Sequence, residues 1–363
     1  MSFIDNIEIK NFKSIRHLKI EGCKRVNVFI GYPNVGKSNI LEALSLFSIN
    51  QNNLTFHSNI RIEKLTTIFY DGNIENNLEV KLNDNIRWVG KMFENFIRFE
   101  EQFIKDEDRF GKSKPLLFQE VKGVASLVVG RFFELKSENH NVQNFHSPPV
   151  KDIKFSQLLG AVKKYGFKRD VPHSAGKYDS LIPPYGNNLF SILSTHNSIK
   201  RQIDELFQPY NLELLNDSRL QKFTILKRTE SGIFSIPYDL VADTLQRLIF
   251  YKTAVLSNQG SILLFEEPEA HMFPPYISKF TSDMVHDENE NQFFTTTHSP
   301  FVLNDLMDNL KTDELSIYIV SYKKETGETI VNRMSKEDMH EAYQFGYDFF
   351  MNIDKFITEK QHE

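Results

Sequence analysis

One octapeptide constrains this chain more than any other feature. Gly31-Tyr32-Pro33-Asn34-Val35-Gly36-Lys37-Ser38 fits the pattern G-x-x-x-x-G-K-[ST], and each fixed position has a physical reason. Glycines let the backbone bend so that successive N–H groups point inward at phosphate oxygens. Lys37 is placed to reach the β- and γ-phosphates of a nucleotide, and the Ser38 hydroxyl to ligate Mg²⁺. The flanks agree. Arg25 to Ile30 is nearly all apolar, as a strand buried on both faces is, and Ile40, Leu41, Leu44 and Phe47 follow at helical spacing. A helix opening there aims its positive end at the same anions, so an α/β nucleotide-binding fold is predicted.

A second apolar run, Ile262-Leu263-Leu264-Phe265, delivers the adjacent carboxylates Glu266 and Glu267 to a strand's C-terminal edge. In α/β sheets that edge is where ligands sit. One carboxylate there can hold Mg²⁺ through its water, and the other can orient and deprotonate an attacking water. A third strand, Gln292 to Thr297, ends at His298, where an imidazole can hydrogen-bond the γ-phosphate or the lytic water. Position at a strand end, about 30 residues beyond Glu267, singles His298 out among 11 histidines. His271 has no second ligand at metal spacing and is read as shaping the turn after Glu267.

Charge and composition remove other classes. With 43 Lys+Arg against 48 Asp+Glu in 363 residues, the chain is no polybasic nucleic-acid binder, although a local basic groove is compatible with it. The single cysteine, Cys23, excludes a disulfide framework and a cysteine-based zinc site. No stretch approaches the ~20 apolar residues of a membrane helix. Met1-Ser2-Phe3-Ile4-Asp5 lacks the basic-then-apolar order of a signal peptide, so a soluble, cytoplasmic protein without a membrane partner is expected.

The remaining text sorts into elements. A strand is predicted from Ile4 to Lys10, and Leu78, Val80 and Leu82 alternate. Residues 91–235 read as an insertion of mixed, partly helical structure. It holds a charged amphipathic run (Phe93 to Phe103), an apolar run (Val121 to Leu135), and Pro/Gly punctuation at Ser147-Pro148-Pro149 and Pro183-Pro184-Tyr185-Gly186. A helix over Asn188 to Phe207 and a strand over Lys222 to Lys227 follow. Then come helices over Asp243 to Leu256 and Pro300 to Leu310, and a hairpin Leu315–Ser321/Thr329–Arg333. The expected domains are a split head (1–90 and 236–335), the insertion (91–235) and a helical tail (336–363). Neither internal repeats nor sustained heptads are visible.

Phosphate loop, some 230 intervening residues, Glu266-Glu267-Pro268-Glu269-Ala270-His271, then strand-His298-Ser299-Pro300: this order resembles the ABC-type ATPase heads of the RecF, SMC and OLD (overcoming lysogenization defect) group. Ile9-Lys10-Asn11-Phe12-Lys13-Ser14 resembles that group's first strand and turn. Pro184-Tyr185-Gly186-Asn187-Asn188-Leu189 resembles the Gly-Asn-Leu element of its OLD-like branch. The resemblance covers roughly residues 1–75 and 184–322. It implies an α/β, ABC-type P-loop head that binds ATP and Mg²⁺. Gly31, Asn34, Val35, Gly36, Lys37, Ser38 and Asn39 would line the nucleotide, and Ser38 and Glu266 would hold the metal. Glu267 would be the catalytic glutamate and His298 the switch histidine, working with Lys37.

Two departures stand out. Glu266 replaces the family's usual Asp, one methylene longer. Where a Ser-Gly signature is expected the chain reads Leu240-Val241-Ala242-Asp243-Thr244-Leu245-Gln246, and an Asp is electrostatically poor near a γ-phosphate unless it caps its own helix and faces away. Slow turnover follows from that departure. Residues 299–363 are too few for the Toprim nuclease that full OLD proteins carry.

The resemblance therefore implies a stand-alone OLD-like ATPase, as in Septu-type and retron-associated antiphage systems. Such a protein forms a homodimer or higher homo-oligomer and regulates a separate effector nuclease encoded nearby. Direct binding of DNA or RNA is left open. Two alternatives are a RecF-like repair ATPase that clamps DNA and a non-hydrolysing, ATP-bound scaffold. A transporter subunit is set aside, because the spacing from Lys37 to Glu267 is too long for a compact transport head and the usual signature is missing.

Overall fold

The computed structural model describes residues 4–49, 59–83, 86–104, 127–136, 142–146, 161–173, 176, 178–217, 219, 221–230, 232–345 and 349–358. The chain divides into two compact units, one of Met1–Val162, Phe294–His298 and Thr312–Glu363, the other of Lys163–Phe293 and Ser299–Lys311.

The first unit opens with β1 (Asn6–Phe12) and β2 (Ile15–Glu21), an antiparallel pair in which Ile9 faces Leu18. Next come β3 (Val26–Ile30) and α1 (Lys37–Ser45). Strands β4 (Leu78–Leu82), β5 (Ile86–Phe93), β6 (Phe96–Ile104), β7 (Leu127–Lys136) and β8 (Val142–His146) extend β1 into a seven-stranded sheet of order β2-β1-β4-β5-β6-β7-β8. Trp88 and Phe47 close its core edge to face, with ring centroids 6.4 Å apart. The run Phe93 to Phe103, read from sequence as amphipathic, is the turn and second strand of the β5–β6 hairpin, where Phe93 pairs Phe96. Of the apolar run Val121 to Leu135, residues 121–126 lie outside the described ones, as does Ser147-Pro148-Pro149.

The second unit begins with β9 (Val162–Tyr165), whose last three residues belong to it, then α2 (Leu189–Thr195) and α3 (Asn197–Asp204). The expected helix over Asn188 to Phe207 is thus two helices, broken at His196, whose backbone (φ −103°, ψ 87°) is not helical. Buried Asn188 explains the Gly-Asn-Leu element locally. Its side chain accepts from the Ile182 amide (2.7 Å) and donates to the Ser180 carbonyl (3.0 Å), strapping the incoming loop to the helix start.

A three-stranded antiparallel sheet follows, β10 (Leu212–Asp217), β11 (Lys222–Thr229) and β12 (Gly232–Pro237). Then come α4 (Asp243–Ser257), β13 (Ile262–Glu266), α5 (Pro274–Val285), β14 (Gln292–Thr296) and α6 (Pro300–Asn309). Tyr165, Phe250, Tyr251, Phe265 and Phe280 form a chain of ring contacts with centroids 5.0–6.2 Å apart, which gives this unit an aromatic core. β14 straddles the boundary, its residues from Phe294 on belonging to the first unit.

The first unit is completed by β15 (Leu315–Tyr322), β16 (Thr329–Arg333), α7 (Lys336–Phe345) and α8 (Ile353–Thr358). β15 runs parallel to β3, with Ile317 opposite Val28, and antiparallel to β16. All five residues of β3 are buried, as its unbroken apolar text requires. No helix among the described residues is long and apolar enough to cross a membrane.

Candidate nucleotide site

The phosphate loop leaves β3 at Gly31 and enters α1 at Lys37. Tyr32, Pro33 and Asn34 are exposed at its tip, while Val35 is buried beneath them. Asn34 (φ 63°) and Gly36 (φ 100°) take left-handed backbone. Glycine at 36 is required twice over: the angle disfavours a side chain, and a Cβ there would lie 2.1 Å from the Thr329 hydroxyl oxygen. The Lys37 side chain is buried, and its ammonium donates to the carbonyls of Gly31 (2.9 Å) and Tyr32 (2.8 Å). No acidic residue occupies the first turn of α1, so the helix's positive end is not cancelled. Ammonium, uncancelled helix start and exposed loop tip suit a chain of phosphates.

His298 reaches this edge from the other side of β3. The preceding Thr297 amide donates to the Phe29 carbonyl (3.2 Å), which sets the exposed histidine beside the strand end from which the loop springs. Within the first unit, the predicted loop and the predicted histidine therefore share one end of the sheet. Asn39, also expected at the nucleotide, gives its side-chain amide to the Ser14 hydroxyl (2.7 Å). At the loop tip, the Tyr32 hydroxyl donates to Asp354 of α8 (3.2 Å).

The second unit carries the carboxylates. Glu266 is the last residue of β13, and Glu267 follows in left-handed backbone (φ 43°), a conformation costing a non-glycine residue roughly 1 kcal/mol or more. Its carbonyl accepts from Ala270 (3.0 Å), closing the turn. His271 (φ 62°) is left-handed too and helps shape that turn, as expected. Sequence reasoning missed Lys164 of β9, a buried lysine whose ammonium lies 3.2 Å from Glu266 Oε2. The signal was there, since Lys163-Lys164 interrupt an otherwise apolar strand and lysines are rarely buried unless paired. The neighbouring Lys163 bonds Ser180 (3.2 Å) and Asn258, and burial pushes its ammonium down to about 8.

At the signature segment, Asp243 occupies the first turn of α4 but does not cap it; Ala242 holds the cap position. The Asp243 carboxylate accepts from Arg169 (2.8 Å) and Arg247 (2.6 Å). Burial raises its carboxyl, but those two guanidinium groups outweigh burial and hold it below the usual carboxylate range. Its charge is neutralised by partners, a solution the sequence did not reveal. The Thr244 hydroxyl oxygen accepts from the Phe273 amide (3.1 Å) and keeps its own proton to donate.

Among solved structures, an SMC head bound to the C-winged-helix domain of ScpA aligns with a TM-score of 0.50 at 13% identity, covering 94% of this chain and 100% of that one. At such identity the likeness speaks for the fold alone, and the fold is that of an ABC-type P-loop ATPase head. Fold and relatives are consistent with an ABC-type ATPase of the SMC/RecF/OLD group. Within it, residues 26–304 match the family described as "AAA domain, putative AbiEii toxin, Type IV TA system", and the chain belongs to that family. An ATP/GTP phosphatase of Helicobacter pylori is 22% identical over 82% of this chain and 85% of its own length. The Septu protein PtuA of Bacillus mycoides is 25% identical over 87% of this chain, which spans only 42% of that protein. The DNA replication and repair protein RecF of Clostridium tetani is 21% identical over 62% of this chain and 61% of its own length.

Proposed function

We propose that this chain binds ATP with Mg²⁺, hydrolyses it slowly, and acts as a self-associating, OLD-like ATPase that regulates a separate nuclease in antiphage defence. The observation that carries the nucleotide reading is the phosphate loop itself: Gly36 in left-handed backbone, the Lys37 ammonium bonded to the Gly31 and Tyr32 carbonyls, and a helix start free of acidic residues. In this reading Lys37 holds the β- and γ-phosphates, and Gly31, Asn34, Val35, Gly36, Ser38 and Asn39 line the nucleotide with it. Ser38 and Glu266 would hold Mg²⁺, which would supply charge neutralisation on the phosphates. Glu267 takes the proton of the attacking water, and His298 holds that water or the γ-phosphate in place. The neutralised Asp243 removes the electrostatic objection to a signature segment at this position, while the missing Ser-Gly pair there supports slow turnover.

The relation to a Septu protein supports the defence reading. The relation to a RecF protein favours the second reading, a DNA-clamping repair ATPase. Tagged Glu267→Gln protein, expressed from its native locus and captured with ATP present, separates them. A stoichiometric second protein with nuclease chemistry is the expected result. A self-assembly that carries down only DNA would replace the first reading with the second. Normal ATP binding without measurable turnover in the unaltered protein would leave a scaffold that uses ATP as structural glue.

A further inference from the structure

Two hydroxyls from distant parts of the chain converge under the phosphate loop. Thr329, the first residue of β16, is buried, and its Oγ1 donates to the Val35 carbonyl (2.9 Å). Ser14, in the turn between β1 and β2, lies 2.6 Å from the same Oγ1, and its oxygen accepts from the Asn39 side chain (2.7 Å). A hydroxyl has one proton. Thr329 spends its proton on Val35, so Ser14 must donate to Thr329. The direction of the relay is thereby fixed, from Asn39 on α1 through Ser14 and Thr329 to Val35 in the loop.

The backbone locks the same elements, since the Thr329 amide donates to the Ser14 carbonyl (2.8 Å). Gly36 sits directly on this pair, with room for no side chain: a Cβ would stand 2.1 Å from Thr329 Oγ1 and 2.7 Å from Ser14 Oγ. Lys13, beside Ser14, pairs with the fully buried Glu42 of α1, so the same turn grips the helix a second time. Both Ser14 and Thr329 lie outside the residues that match the family model, 26–304.

We propose that Thr329 and Ser14 are positioning residues for the phosphate loop, a brace that holds the Val35–Gly36 peptide in its phosphate-binding orientation. Neither touches the nucleotide; both act through the loop. Hydrogen bonds in such a row polarise one another, so breaking one weakens the rest. This inference rests on the nucleotide reading above, and Lys37→Ala serves to separate the two.

The test is the affinity of the full chain for an ATP analogue carrying a fluorescent methylanthraniloyl label on its ribose, with Tm followed in parallel. Thr329→Val removes the hydroxyl while keeping its shape, and the expected loss is about fivefold, the size of one hydrogen bond. Thr329→Ser restores binding. Ser14→Ala loses a similar factor, and the double variant loses no more than either alone, because both interrupt one relay. Unaltered affinity in Thr329→Val alongside abolished binding in Lys37→Ala would overturn the brace. So would a loss that follows Tm, strict additivity of the two changes, or a Thr329→Ser variant as weak as the valine. Retained binding in Lys37→Ala would instead overturn the nucleotide reading.

Discussion

Lys164 and Glu266 sit side by side on β9 and β13, ammonium to carboxylate at 3.2 Å, with only 9% of the lysine side chain open to water. A cation thus already occupies one flank of the carboxylate proposed to hold Mg²⁺. Two cations compete for one negative group, and removing the resident one favours the other. In Lys164→Met the Mg²⁺ concentration for half-maximal nucleotide binding is expected to fall about fivefold, corresponding to ~1 kcal/mol of relieved repulsion. Titration of Mg²⁺ against the fluorescent analogue reads this directly. An unchanged midpoint would show that the pair serves packing only.

The adjacent lysine predicts a pH effect of opposite character. Burial lowers the Lys163 ammonium to about 8 from an ordinary 10.5, so between those values the unfolded chain binds the extra proton and the folded one does not. Stability therefore rises as pH climbs through that window, and below pH 8 the cost of burying the charge is fully present. That cost is about 3 kcal/mol at most, from 1.36 kcal/mol per pH unit. Lys163→Met should gain stability over the native chain at pH 7, and the gain should shrink by pH 10. Urea unfolding at the two pH values checks it; a gain that grows with pH would contradict the burial argument.

Glu42 gives a third prediction. Its side chain is fully buried on α1, pairing with Lys13 and, at 2.7 Å, with Arg61. Glu42→Gln leaves the largely buried Lys13 ammonium without its carboxylate. The expected loss is about 2 kcal/mol, below the usual range for a buried pair because Arg61 is largely in water. Denaturant midpoints at pH 7 measure it. A neutral effect would mean that the N-terminal turn is held by its backbone alone.

The elements that carry chemistry were legible because their evidence is local. β3, α1, β13 and α6 start and stop within two residues of where the apolar runs and the Gly, Glu-Glu-Pro and Ser-Pro boundaries put them. β6 was not legible as a strand. Glu101 and Gln102 are buried within it, so polar side chains occupy positions whose apolar character would have shown the two-residue period. β2 escaped because Arg16, His17 and Lys19 crowd its few apolar positions. Phenylalanine abundance meant nothing until Phe250, Phe265 and Phe280 were seen in one core. Of the candidate site, the motif residues were readable and their supports were not. Lys164 lies 102 positions from Glu266 and Thr329 lies far from the loop it underpins, and no local pattern records such pairs.

Ser14 and Thr329 are separated by 315 positions. On the ribosome the phosphate loop emerges well before the hydroxyl that steadies it, which arrives only with β16. Contacts between such distant segments form late, because the long loop between them must first be closed. A nascent chain that has not reached β16 therefore carries the motif without its grip, and full affinity for nucleotide comes only once that strand is in place.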